Sequence, residues 1–215
     1  MHDDLITGGL IGTDEAGKGD YFGPLVCAAC YVDSNTSELL ISANVRDSKK
    51  ISDNRVRELA EFIKASCPHD TIVILPEKYN QLYAKFRNLN RLLAWAHAKA
   101  IENLLEKVDC QNVLTDQFGD ENLVKKALQE KGRQITLIQR TKAEQNLAVA
   151  AASILARAEF LNRLAALSKN FGVHLHPGAG TPTDQSIREF IRKNGKDKLS
   201  QVGKLHFKNT QKAGV

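Results

Sequence analysis

The sequence predicts an α/β fold, a mixed central sheet flanked by helices, and three observations carry that expectation. Short apolar, β-branched runs bounded by polar turns alternate with longer stretches of helical apolar spacing. The first two runs are joined by a short connection, which favours an antiparallel pair and so a mixed sheet. The bulk composition is that of an ordinary globular chain, 215 residues with 42% hydrophobic and 26% charged, sufficient for one substantial core. No repeat, low-complexity tract or linker marks a boundary, so a single domain over residues 1–215 is expected.

In order along the chain, Leu10 to Thr13 reads as a strand that ends in Asp14-Glu15, and Leu25 to Val32 as its neighbour after a polar, Gly-rich turn. Ser52-Asp53 caps a helix with Val56, Leu59, Ala60 and Ile63 on one face. Thr71–Leu75 is a β-branched strand closed by Pro76, and Leu89 to Val108 a long amphipathic helix. Asn112–Thr115 is a strand delivering Asp116 at its carboxyl end. A helix over Glu121–Lys131 stops at Gly132, and Ile135–Ile138 is the next strand. Glu144 to about Leu167 is a strong helix, with Leu147, Ala151, Ile154, Ala158, Leu161 and Ala165 aligned. A short helix over Asp184–Arg192 follows.

Composition excludes several classes. No apolar run approaches the roughly 20 residues of a membrane span. The N-terminus, with Asp3 and Asp4 and no basic stretch before an apolar one, does not read as a secretory signal, so a cytoplasmic protein is expected. The net charge of +5 suits a polyanionic partner but is a weak indication alone. The grouping of Arg46, Lys49 and Lys50, of Arg140 and Lys142, and of Lys204, Lys208 and Lys212 is more informative. Cys27 and Cys30 form a C-x-x-C, but within a strand their odd spacing sends the thiols to opposite faces, and no second pair completes a zinc site. Cys27, Cys30, Cys67 and Cys110 are therefore expected as buried free thiols.

Gly12-Thr13-Asp14-Glu15-Ala16-Gly17-Lys18-Gly19 matches seven positions of a phosphate-binding loop, G-x-x-x-x-G-K-[ST]. Gly19 lacks the hydroxyl that such a loop offers to Mg²⁺, two carboxylates would sit inside the phosphate cradle, and Gly23-Pro24 breaks the helix that should follow. The alternative is that Asp14 and Glu15 are ligands of a hard cation, which tolerates clustered carboxylates. In open α/β sheets, sites gather at the carboxyl ends of strands, where Asp14-Glu15 and Asp116 both lie. Glu144 has two readings. Thr141-Lys142-Ala143-Glu144 matches a helix capping box, yet Glu144 is in register with the buried Leu147 and Ala151, which favours a functional role.

At this point a family resemblance enters. Gly12 through Leu25, running D-E-A-G-K-G-D-Y-F-G-P, resembles the opening signature of ribonuclease HIII, whereas the related ribonuclease HII has a similar D-E-A-G-R-G without the D-Y-F-G-P continuation. Asp47-Ser48-Lys49-Lys50-Ile51, Thr115-Asp116-Gln117-Phe118, Thr141–Glu144 with Ala150–Arg157, and Lys204–Thr210 agree with the same family, in the expected order. The resemblance implies a ribonuclease H-like fold and four metal-binding catalytic carboxylates at Asp14, Glu15, Asp116 and Glu144. It implies two Mg²⁺ or Mn²⁺ ions clamping an in-line displacement, one activating water and one stabilising the departing 3′ oxygen. The implied activity is endonucleolytic cutting of the RNA strand of an RNA–DNA hybrid, leaving 5′-phosphate and 3′-hydroxyl ends, by a monomer. Proteins of this family commonly carry an N-terminal substrate-binding domain; here the signature begins at Gly12, and a catalytic domain without that extra domain is expected.

For substrate recognition the resemblance points to Gly17, Lys18 and Gly19 against the 2′-hydroxyl groups, where an unobstructed backbone can approach the sugar. Ser48 and Lys49 are expected on backbone phosphates, while Lys50 fits a phosphate contact and a solvated basic loop about equally. His174 and His176, with no third ligand at zinc spacing, read as loop histidines; Trp95 and His97 read as packing and surface positions. Ribonuclease HII has a G-Y-P-T segment whose Tyr packs on a deoxyribose. The comparable Gly180-Thr181-Pro182-Thr183 has a threonine there, which implies a preference for RNA tracts over single embedded ribonucleotides.

Overall fold

The computed structural model describes residues 8–46, 51–116, 121–129 and 132–214. Its strands are β1 (Leu10–Ala16), β2 (Leu25–Val32), β3 (His69–Ile74), β4 (Asn112–Asp116) and β5 (Thr136–Arg140). Its α-helices are α1 (Ser34–Ser42), α2 (Asp53–Ser66), α3 (Pro76–Phe86), α4 (Leu89–Leu105), α5 (Glu121–Ala127), α6 (Leu147–Phe171), α7 (Thr181–Asn194) and α8 (Lys208–Lys212). The chain divides into two compact units. One comprises Met1–Glu15, Cys27–Ile72 and Asn88–Ala158; the other comprises Ala16–Val26, Val73–Arg87 and Glu159–Val215.

The first unit carries nearly all of a five-stranded mixed sheet of order β3-β2-β1-β4-β5. β4 runs parallel to both β1 and β5. Strands covered on both faces need continuous apolar runs, and Leu10, Ile11 and Cys27 to Cys30 are wholly buried. On one face, Ile11, Ala29, Val113 and Leu137 pack against Ala94, Ala98, Ile101 and Leu104 of α4 and Val124 of α5. On the opposite face the first turns of α6 lie directly on β1. A Cβ at Gly12 would stand 2.2 Å from the Ala148 carbonyl carbon, so only glycine lets helix and strand backbones meet there. All four cysteines are buried free thiols.

Several elements differ from expectation for identifiable reasons. α1 was not anticipated; Asp33 caps it, accepting from the Thr36 amide at 2.8 Å while the Thr36 hydroxyl accepts from the Asp33 amide, a capping box closed by Thr rather than Glu. Pro76, expected only to end a strand, opens α3, where its fixed φ and missing N–H cost nothing. Ser52 caps α2 as expected. α6 begins at Leu147 instead of Glu144, and α7 begins at Thr181 with Pro182 in its first turn, three residues before the expected Asp184.

The second unit is built around aromatic side chains. Tyr21, Phe22, Tyr79 and Phe190 are wholly buried, with the Tyr21 and Phe22 rings edge to face at 4.8 Å. Two signature blocks distant in sequence meet here. The buried Lys204 ammonium donates to the carbonyl oxygens of Asp20 and Gly23, both at 2.8 Å, and the Thr210 hydroxyl donates to Tyr21 Oη at 3.2 Å. His206, expected in a loop, stacks on Tyr83 with ring centroids 4.1 Å apart.

Candidate active site

β1 and β4 carry the acids. Their parallel register pairs Thr13 with Thr115, and Asp14 and Asp116 are the next residues of the two adjacent strands. Asp14 accepts from the Glu15 amide at 2.8 Å and from the Ser153 hydroxyl of α6. Asp116 accepts from the Ala143 amide at 3.1 Å, and that bond ties a 3₁₀ turn over Ala143–Gln145, with Glu144 in it, to the end of β4.

The turn settles the capping question at Glu144. Its N-cap is Lys142, in a left-handed conformation with φ 58° and no side-chain cap, so the alternative Thr141–Glu144 capping box does not form. Asn146 caps α6 instead, its Oδ1 accepting from the Ala148 amide at 2.9 Å. Glu144 is therefore a half-buried residue in a turn tethered to Asp116. Among the described residues, no three carboxylate, imidazole or thiol groups converge closely enough to cage one ion in this structure.

The electrostatics nonetheless fit a cation. Burial, and then the neighbouring Glu15 charge, push the Asp14 carboxyl from 3.8 up to about 6, although Ser153, the Glu15 amide and His97 pull the other way. Carboxylates that raise one another's affinity for protons raise it for hard divalent ions as well. The donors are all oxygens, which suits Mg²⁺ or Mn²⁺.

Sequence reasoning missed His97, placed at the surface or in simple packing. It is wholly buried in α4, with Nδ1 2.9 Å from Thr13 Oγ1 and Nε2 3.1 Å from Glu15 Oε2. Burial alone would lower its pKa; Cys27 and the Glu15 carboxylate override that and raise it. The available signal was its helical register with Leu93, Ile101 and Leu104, because an ionisable group on a buried stripe requires a polar partner.

Gly17 turns the chain just after β1. Its φ of +85° and the 2.1 Å that a Cβ would leave to the Pro24 carbonyl oxygen make glycine obligatory. Gly19 faces open space and is exposed, and Lys18 between them is half-buried. Gly17 thus answers to the turn, whereas Gly19 leaves its backbone open to a ligand. Ser48 and Lys49 lie outside the described residues.

Comparison with known proteins matches this architecture. The family model described as Ribonuclease HII matches residues 11–210. The chain is 46% identical over 198 residues to ribonuclease HIII of Protochlamydia amoebophila, covering 92% of this chain and 66% of that protein. It is 46% identical over 202 residues to ribonuclease HIII of Chlamydia pneumoniae, covering 92% and 67%. The chain thus spans about two thirds of the length of the curated relatives it matches. Among solved structures it is similar to the crystal structure of Bst-RNase HIII in complex with Mn²⁺, with a TM-score of 0.90 and 33% identity over 98% of this chain and 70% of that one. The fold is ribonuclease H-like.

Proposed function

The chain belongs to the ribonuclease HII family, and on that premise we propose that it is an endoribonuclease hydrolysing the RNA strand of RNA–DNA hybrids with divalent metal ions held by Asp14, Glu15, Asp116 and Glu144. The observation that supports this best is the β1–β4 register, in which Asp14 and Asp116 each follow the Thr13–Thr115 pair, together with the Asp14 carboxyl pushed up to about 6.

When bound, a pair of Mg²⁺ or Mn²⁺ ions supplies Lewis-acid stabilisation for in-line displacement at phosphorus, giving 5′-phosphate and 3′-hydroxyl ends. The chain's own groups prepare the site. The Ser153 hydroxyl and the Glu15 amide orient Asp14, and the Ala143 amide orients Asp116. The two donors to Asp14 favour its charged form, the form that binds cations. Gly19 leaves its backbone accessible to 2′-hydroxyls beside Gly17 and Lys18, and Ser48 and Lys49 are assigned to phosphates, contacts that position the duplex without reading sequence. Thr181 at the start of α7 favours RNA tracts over a lone ribonucleotide. We assign the protein to the cytoplasm as a monomer. No helix among the described residues is long and apolar enough to cross a membrane.

The test is cleavage of a labelled RNA–DNA hybrid with Mg²⁺, with Mn²⁺ and with chelator, followed by end analysis with phosphatase and ligase. Metal-dependent products with 5′-phosphates support the reading. Binding without cleavage under every condition would reduce the protein to a hybrid-binding module.

A further inference from the structure

Strand geometry gives the acids unequal positions. Successive side chains on a strand point to opposite faces, and directly paired residues of parallel strands share a face. Thr13 and Glu15 both reach His97 of α4, while Asp14 between them reaches Ser153 of α6. The pairing of Thr13 with Thr115 places Asp116 on the face of Asp14. Alternation therefore starts the Glu15 side chain towards the α4 side, where His97 meets its carboxylate.

We propose that His97 is a positioning residue for the metal site, fixing the Glu15 carboxylate at the end of β1 so that it serves together with Asp14 and Asp116. This rests on the metal-dependent reading above. Without an anchor, the Glu15 side chain would lose rotamer freedom each time an ion bound. The imidazole removes that cost in advance. One ring nitrogen meets Glu15 Oε2 and the other meets the Thr13 hydroxyl, so the ring is held at both ends. A hydroxyl both donates and accepts, so Thr13 supports the ring in either tautomer or charge state. Histidine ligands of metals are commonly oriented by carboxylates; here the roles are reversed, with an imidazole orienting a carboxylate ligand.

A purely structural histidine would affect folding but not ion affinity, and the test separates the two. Mn²⁺ binding without substrate, followed by the paramagnetic resonance signal of free Mn²⁺, is compared among wild type, His97→Leu, His97→Gln and Thr13→Val, with circular dichroism confirming the fold. His97→Leu should weaken Mn²⁺ binding by about tenfold or more, the usual consequence of removing a partner behind a ligand. His97→Gln, whose amide can donate to the same carboxylate, should recover most of that loss. Thr13→Val should cost roughly threefold, since it frees one end of the ring. A folded His97→Leu protein with wild-type Mn²⁺ affinity would overturn the role of His97. Should that variant not fold, unchanged affinity in Thr13→Val overturns it instead. Failure of the folded wild-type chain to bind Mn²⁺ would remove the metal-site reading itself, a result distinct from either.

Discussion

Asp14 in the first unit and Lys204 in the second are both ionisable groups taken largely out of water, and they are accommodated in opposite ways. The Lys204 ammonium finds its partners within the chain, two backbone carbonyl oxygens and the Tyr79 ring, whose centroid lies 5.6 Å away. Asp14 has donors of its own, but burial, and then the charge of the neighbouring Glu15, raise its pKa on balance. A buried charge whose hydrogen bonds go to its own backbone belongs to the scaffold, even where burial still disfavours its charged form. A charge set among its own kind is kept for a partner from outside, because a fold gains nothing from that repulsion.

The sharpest way to break this contrast is to remove acids from the edge. Asp116→Asn should lower hybrid cleavage to below about one hundredth of wild type, more than the cost of disturbing a group behind a ligand. The melting temperature should hold or rise, since a like charge has been removed. A marked loss of stability would place Asp116 with the scaffold. Glu144→Gln is the companion test, because the Ala143–Asp116 bond ties the turn that carries Glu144 to the end of β4. Near-normal turnover in that variant would strike Glu144 from the ligand set and transfer the role to another acid beyond β4, of which Asp120 is nearest in sequence.

Lys204→Met is the converse experiment. The methionine fills similar space but leaves two buried carbonyl oxygens short of a donor, costing about 2–3 kcal/mol. For a chain of this size that is a fall of roughly 5–10 °C in melting temperature. The Mn²⁺ affinity of the acidic edge should stay within about twofold of wild type, because the fold keeps its carboxylates. An unchanged melting temperature would show that the buried ammonium is not structural.

The two regions were unequally legible in the sequence, for a physical reason. Asp14, Glu15 and Asp116 stand out in the sequence because an apolar run ending in an acid is a local pattern. His97 could not be identified, because helical spacing shows which face is buried and not what lies opposite. Glu144 was set at the head of a helix because Thr141–Glu144 imitates a capping box; the left-handed Lys142 instead closes a separate turn. Asp20–Pro24 and Lys204–Thr210 were recognisable as signature blocks, but that they grip each other depends on a contact 184 residues apart in sequence.

Asp14 and Lys204 also predict opposite pH slopes, because burial disfavours the charged form of each and one is an acid and the other a base. Asp14 binds its proton more tightly folded than unfolded, so between about 3.8 and 6 the folded state holds more protons, and the metal-free protein loses stability as pH rises through that window. Lys204 is lowered from 10.5 to about 7, first by burial against the partial compensation of Asp20, so it contributes a gain in stability as pH rises from about 7 towards 10.5. Melting curves of Asp14→Asn and Lys204→Met, each subtracted from wild type, isolate the two slopes. Mg²⁺ should flatten the Asp14 slope alone, because the ion replaces the proton there. An Asp14→Asn difference curve with no slope between pH 4 and 6 would mean that the carboxyl is not under strain.

The smallest effect asks whether the second unit is scaffold throughout. Thr181 is exposed in the first turn of α7, unlike the buried Lys204, and occupies the position where the ribonuclease HII resemblance sets a tyrosine. A ring packed on a sugar contributes on the order of 1 kcal/mol beyond a threonine, which amounts to about fivefold in rate. Wild type should therefore cut a duplex carrying four or more ribonucleotides at least about fivefold faster than one carrying a single ribonucleotide in Mg²⁺. Thr181→Tyr should narrow that ratio by raising the single-ribonucleotide rate, leaving Mn²⁺ affinity unchanged because no carboxylate is touched. Pro182 already fixes the backbone of that turn, so the substitution alters the side chain without disturbing the start of the helix. Equal wild-type rates on both duplexes would end the proposed tract preference. A Thr181→Tyr protein with an unaltered ratio would show that substrate choice is made elsewhere.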